Sequence, residues 1–469
     1  MKSRGSALGR SAAVAALIVV ALTVLHAQKP ARRIAVFGSS VAFGTGDDLG
    51  REGYTGRLRE MLAPKGWEVL NQSRGGDNTK TMAPRFAPAG EPDPRVRYLL
   101  PVNPNYVLLG LSLGNEGIQN GTTKAEKDAI YAQFESGMRG FVARSRENHI
   151  IPVITLCYTR NDFTAIEYEY TRRMNLTINS WDVPSVNFLG AVDNGSGNWA
   201  KGFWHDSLHP NAAGHAEMTM TFVPSLFDAI EQGKPLPKKS TGTGFTHASS
   251  PAAITFTPES TMHPFALAFS VRAQADGTVA TISGSTLTVT SSMKREERAR
   301  GGAVEFEAST VSTAAPFTAS IGVRTGTWTY TSAGGQTIAS PVKIAKADTQ
   351  WHQVTLSHYT ARGETLFYVD GTLAGKTSER LETNRVALGG SADLKDLLVY
   401  RSALNADEVA ALVKGTLLQA SLEVYAPLAD ANMKAGVPLE NRAQSLSAAK
   451  AGAGMVHVEL DTQDTKKRR

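Results

Sequence analysis

The stretch "WHDSLHPNAAGH" carries Asp206 and His209 three positions apart. In a turn or a first helical turn that spacing brings both side chains to one edge, so the carboxylate can accept from one imidazole nitrogen while the other faces a nucleophile. A hydroxyl in front of the imidazole, with N–H donors around a developing oxyanion, would complete the apparatus of acyl transfer through serine. Two serines compete for that place. Ser112 lies within G-x-S-x-G at 110–114, the spacing of a nucleophile elbow on a sharp strand-to-helix turn. Ser40 lies in "VFGSSVAFGTG", just past an apolar run and between glycines that permit a tight turn. Two further groups could donate: the backbone amide of Gly76 in "VLNQSRGGDNT" and the side-chain amide of Asn115 in "LSLGNEG".

These residues need elements to hold them. From Ala31 to about Gln232 the apolar runs "RRIAVFG", "WEVLNQS", "NYVLLGLSL", "HIIPVITLCY" and "VPSVNFLGAV" alternate with longer amphipathic segments, as βαβ units do. Between the third and fourth runs, Ile130, Phe134, Met138 and Phe141 recur at helical spacing. The pattern predicts a parallel sheet covered on both faces, with a site outside the strands' carboxyl ends. Ser40, Gly76 and Asn115 each follow one of the first three strands.

In this order the residues resemble the four blocks of the SGNH (GDSL) hydrolases, over roughly residues 33–226: a Gly-Asp-Ser-like block, a glycine block, a Gly-x-Asn-Asp block and an Asp-x-x-His block. The resemblance implies a flavodoxin-like three-layer α/β/α domain. By the same resemblance Ser40 is the nucleophile, Asp206 and His209 complete a triad, and Gly76, Asn115 and the Ser40 amide form the oxyanion hole. Three positions depart from the family pattern: Ser39 where Asp is usual, Leu113 where a glycine ahead of Asn is usual, and Glu116 where the second Asp is usual. None removes a proton-transfer or oxyanion group. An acid three residues from its histidine argues against the elbow reading of Ser112, which is left to pack the end of its strand. Arg160 and Trp204 are candidates for touching substrate, the first just past the fourth strand and the second beside the Asp206–His209 pair. His215, on the following helix, is read as structural.

After Gln232 the composition shifts to "GKPLPKKSTGTGF", a linker expected over 233–250. Short alternating runs bounded by Gly, Ser and Thr follow, and predict an antiparallel β-sandwich over 251–425, with one capped helix at "NADEVAALVKG". "WHQVTLSHYTARGETLFYVDGTLAG" and "DLLVYRSALNADEVAAL" resemble the laminin G or concanavalin A-like jelly-roll family. That resemblance admits glycan binding, sometimes with calcium, although no acidic cluster marks a calcium cage. Trp328, Tyr330 and Trp351 are read as core positions before a sugar platform. Residues 426–469 form a carboxyl-terminal extension whose end is expected to be disordered.

Lys2, Arg4 and Arg10 precede an apolar run from Ala12 to Leu25, which is short for a membrane span; residues 1–27 are read as a cleaved signal peptide. The expected location is secreted, periplasmic or at the cell surface. The formal net charge of +6 is carried by those three residues and by Lys466, Lys467, Arg468 and Arg469, so the folded part is near neutral and gives no support to nucleic-acid binding. The single cysteine, Cys157, cannot form an internal disulfide and reads as a small buried hydrophobe. The expectation is a serine esterase that needs no cofactor or metal for catalysis and cleaves carboxylic esters, most readily acyl groups on carbohydrate. Alternatives are a lipase or thioesterase of the same fold, and a glycan-binding adhesion protein with a degenerate hydrolase half. Neither oligomeric state nor acyl chain can be read from the residues.

Overall fold

The structure, a computed structural model, describes residues 32–273, 275–297, 303–344, 350–429 and 433–458; the expected signal peptide and the end of the carboxyl-terminal extension lie outside them. The five apolar runs of the first half form parallel strands β1 (Arg32–Gly38), β2 (Trp67–Asn71), β3 (Tyr106–Gly110), β4 (Ile151–Thr155) and β5 (Ser185–Val186), in the sheet order β2-β1-β3-β4-β5. Alternate residues of β1 serve opposite faces. Ala35 and Phe37 pack with Phe134, Met138 and Phe141 of the helix Lys124–Glu147, whereas Ile34 and Val36 pack with Tyr54, Leu58 and Met218. Burial on both faces explains why the strands read as unbroken apolar runs. The long helix begins at a Thr123–Glu126 capping box. The first half is thus the flavodoxin-like three-layer α/β/α fold, with all five strand tips on one edge.

The second half consists of two antiparallel sheets of seven and eight strands. Their shared core includes Leu267, Phe269, Ile282, Ile321, Val354 and Phe367. Trp328 and Tyr330 are fully buried there, so neither forms part of a sugar platform. The two longest strands, Gly277–Glu297 and Ala303–Arg324, pair as a hairpin that reaches the first half.

Two expected boundaries require correction. Phe245–Ala248, placed in the 233–250 linker, is a strand that pairs with both Ala392–Tyr400 and Met455–Val458. The 426–469 extension likewise supplies two strands, Lys450–Ala451 and Met455–Val458, one to each sheet. Two- and four-residue edge strands, the latter only half-buried, offer too few alternating positions to show as a pattern.

The linker does not separate two independent halves. The side-chain amide of Gln419 donates to the carbonyls of Trp181 (2.8 Å) and Val183 (2.9 Å), just ahead of β5. Asn187 donates to Glu408 (2.8 Å), Arg172 pairs with Asp407 (2.6 Å), and the ammonium of Lys234 donates to the carbonyls of Asn441 and Ser445. Ala420 is buried within the core of the first half. Opening this seam of buried and half-buried hydrogen bonds would also expose the apolar surface around Ala420, which is costly. A chain ending at Gln232 is therefore expected to lose cooperative thermal unfolding and to bind a hydrophobic dye. A soluble fragment with a sharp melt would show instead that the first half is self-sufficient.

Glu408 sits fully buried at this seam. Burial pushes its carboxyl up to about 8, against the opposing hydrogen bonds from the Asn405 amide and Asn187. A raised carboxyl contributes stability that is complete below its ordinary value near 4.5 and is lost as pH rises through about 8. Glu408→Gln is expected to flatten the decline in melting temperature between those limits; an unchanged slope would assign the decline to other groups.

Candidate active site

The site forms where β1 and β3 end side by side. Gly38 pairs with Gly110 in register, and a Cβ on Gly38 would lie 2.2 Å from the Gly110 carbonyl oxygen, so only glycine allows the two tips to approach this closely. Ser39 leaves the sheet as the N-cap of the helical turn Ser40–Phe43, which lifts Ser40 above the sheet edge. The Ser39 hydroxyl, where the resemblance would have a carboxylate, is buried and without a hydrogen-bond partner among the described residues.

His209 approaches Ser40 from the loop ahead of the helix Ala212–Met220. Its Nε2 lies 2.9 Å from Ser40 Oγ and its Nδ1 2.8 Å from Asp206 Oδ1. The same carboxylate oxygen accepts the backbone amides of Leu208 (2.9 Å) and His209 (3.0 Å), and the His205 amide donates to the His209 carbonyl (2.9 Å), closing the turn. Partial burial acts to raise the Asp206 carboxyl, but the His209 hydrogen bond, the imidazole's charge and the Leu208 amide outweigh it and hold the group down to about 2. An ionised carboxylate at Nδ1 fixes the tautomer that leaves Nε2 free to accept the Ser40 proton.

The glycine loop after β2 passes beside Ser40: a Cβ on Gly75 would contact the Ser40 Cβ at 3.8 Å. Gly76 has φ +82°, open to glycine with little strain, and faces unfilled space. At the tip of β3, Asn115 Oδ1 accepts the Ser112 amide (2.9 Å) and the Tyr158 hydroxyl (3.3 Å). With its oxygen committed, the Asn115 side chain is oriented to present Nδ2 as a donor. Ser112 itself is fully buried, caps the turn Leu113–Glu116 and donates to the Tyr158 carbonyl (3.1 Å). No imidazole contacts it among the described residues.

The structure brings Ser40, His209 and Asp206 into one hydrogen-bonded chain and sets Gly76 and Asn115 on the neighbouring strand ends. Arg160 requires correction as a substrate contact. Its guanidinium is buried, paired with Asp162 through two bonds (2.8 and 2.6 Å) and donating to the Gly114 carbonyl (2.8 Å), so it braces the Asn115 turn. Trp204 is half-buried and lines an open cavity beside the loop that carries Asp206. His215 bridges the Thr45 carbonyl and the Tyr54 amide, and burial holds it down to about 4. Cys157 is buried, which pushes its thiol up to about 12.

Three contributors carry no sequence signal of their own. Tyr158 orients Asn115. Glu116, at a departure from the resemblance, accepts the Thr79 hydroxyl (2.6 Å) and amide (3.0 Å), tying the Asn115 turn to the glycine loop. The long hairpin of the sandwich reaches the histidine loop: Phe306 packs on His205 at 4.3 Å between ring centroids, Glu296 meets His205 Nε2 at 3.1 Å, and Asn211 donates to the Glu307 carbonyl at 2.6 Å.

The model of the GDSL-like lipase/acylhydrolase family matches residues 36–217, which span all five residues of this constellation. These residues form a GDSL-like domain. No curated protein matches the chain in sequence. Among solved structures, the chain is similar to a GDSL-like lipase from Bacteroides thetaiotaomicron (14% identity, 46% of this chain and 97% of that one, TM-score 0.32). It is also similar to an acetylxylan esterase from Geobacillus stearothermophilus (14%, 40% and 90%, 0.31). A third likeness is to a heptameric SAP-like pentraxin from Limulus polyphemus (13%, 48% and 98%, 0.29). The match covers the first half of the chain and leaves the β-sandwich outside it. Among its described residues no helix is long and apolar enough to cross a membrane.

Losing the Tyr158 hydroxyl that engages Asn115 differs from losing the Asn115 amide itself. Asn115→Ala is expected to lower kcat by roughly 10²–10³, the cost of one oxyanion donor, whereas Tyr158→Phe should lower it less and leave KM nearly unchanged. Equal losses would mean that Tyr158 acts on its own account, and wild-type turnover in Asn115→Ala would reduce that residue to a structural one.

Proposed function

We propose that the protein is a secreted serine esterase that removes acyl groups from carbohydrate. The single observation that carries the reading is the continuous chain Ser40 Oγ, His209 Nε2, His209 Nδ1, Asp206 Oδ1, with 2.9 and 2.8 Å links. Ser40 attacks the acyl carbonyl as His209 takes its proton, and Asp206, ionised, stabilises the imidazolium. The oxyanion of the tetrahedral intermediate meets the amides of Ser40 and Gly76 and Asn115 Nδ2. His209 returns the proton to the leaving alkoxide, and the alcohol departs. Water, activated by the same imidazole, then attacks the acyl-enzyme and releases the acid and Ser40.

The departures at Ser39, Leu113 and Glu116 are compatible with this chemistry, since Glu116 tethers the glycine loop and neither of the others bears on the proton path. The amino-terminal signal segment supports export. The carbohydrate part of the reading draws on the attached sandwich and on the open cavity beside Trp204.

Ser40→Ala is expected to abolish hydrolysis of a short-chain 4-nitrophenyl ester, while Ser112→Ala retains most of it. Loss only in the second variant would reverse the assignment, and no turnover by the wild type would leave the protein without esterase function.

A further inference from the structure

Between the catalytic loop and the sandwich lies an open cavity of about 460 Å³, within the ~300–1,000 Å³ range of small-molecule sites. Its walls come from both halves. The first contributes Asn161, Asn194, Trp204 and Lys201, and the second contributes Arg362 and Arg380. It adjoins the Ser40 site through the loop itself: the Asn161 amide and the Trp199 indole both donate to the Ser207 carbonyl, one residue from Asp206. Trp199 also stacks on Tyr158, which orients Asn115.

The side-chain groups of this cavity that make no hydrogen bond or ion pair among the described residues are donors. Asn161 Oδ1 accepts the Trp199 amide and Asn194 Oδ1 accepts from Ser196 and Asn198, whereas neither NH₂ group donates to another described residue. Arg380 donates Nε to the Thr360 carbonyl (3.2 Å) and Nη2 to the Ala361 carbonyl (3.5 Å) and makes no ion pair among the described residues; the carboxylate that bears on it, Glu217, is already paired with His263. Lys201 is exposed and likewise makes no ion pair among the described residues. Arg362 is held by Glu364 at 2.7 Å and lies over the Tyr359 ring. No carboxylate among the described residues lines the cavity. The NH₂ groups of Asn161 and Asn194, the cations Arg380 and Lys201 and the half-buried face of Trp204 select a ring that carries acceptor oxygens and negative charge.

We propose that this cavity is a binding site for an anionic saccharide, one bearing carboxylate or sulfate groups, which it holds with its acylated neighbour at Ser40. The proposal rests on the esterase reading for its catalytic consequence and on the cavity alone for the binding.

The test is calorimetric titration of full-length Ser40→Ala, in which turnover plays no part, with unacetylated oligogalacturonate, a sulfated oligosaccharide of equal length and a neutral xylo-oligosaccharide. Binding of either charged oligomer in preference to the neutral one is expected, weakening with added salt, and the stronger of the two identifies the anion. Arg380→Gln in that background should weaken it about tenfold, the loss of one charge-assisted hydrogen bond. Should that variant fold poorly through loss of its Thr360 contact, the exposed Lys201→Gln should weaken it a few-fold. Equal affinity for charged and neutral oligomers, or affinity untouched by Lys201→Gln and Arg380→Gln, overturns the proposal. Turnover of 4-nitrophenyl acetate by the wild type judges the esterase reading separately, so binding without turnover would retain the cavity's role and reject that reading alone.

Discussion

Everything at this site depends on how closely β1 and β3 approach at their ends. The Gly38–Gly110 pair allows two backbones to meet where any side chain would collide. From that contact Ser39 and Ser112 turn away as the starts of two short helical turns, one presenting Ser40 and the other Asn115. Ser40 and Asn115 on separate loops would each carry their own flexibility. Set on adjacent strands of a buried parallel sheet, they inherit the sheet's register, and their spacing is as fixed as the hydrogen bonds between strands. The histidine loop then has only one position to find.

That loop is held from outside the first half. Its turn closes on itself through Asp206, but its outer side rests on Phe306 and on the Glu307 carbonyl, both from the sandwich hairpin. Together with the polar seam at Gln419, Asn187 and Glu408, this makes the two halves a single packed body. The sandwich is thus part of the proposed enzyme's frame, whatever else it binds. A cavity walled by both halves exists only because they are docked.

What could be read in the residues was what they do locally. The strands of the first half showed because Ile34, Val36, Ala35 and Phe37 bury on both faces, and the helix Lys124–Glu147 showed because its stripe and its capping box agree. The Asp206–His209 pair showed because the turn that joins them spans only three residues. What could not be read depends on distance along the chain. Arg160 looks free in "TRNDF", and only the folded Asn115 turn reveals the Gly114 carbonyl that engages it. Nothing near Phe306 marks it as the neighbour of His205, since the contact exists only after the hairpin has crossed to the other half. The edge strands at 450–458 are short and half-exposed, and burial there gives too little contrast to make a pattern.

The pairing of Met455–Val458 with Phe245–Ala248 bears on the order in which the molecule can be completed. A chain made from its amino terminus has every residue of the Ser40 constellation in hand long before the sandwich exists. It has neither the hairpin that braces the histidine loop nor the last strand that closes the sheet beside the start of the sandwich. The brace on the histidine loop therefore arrives with residues 296–307, and the sheet beside Phe245–Ala248 gains its partner only with Met455–Val458. The order of synthesis thus separates having the residues of the site from having the frame that braces them.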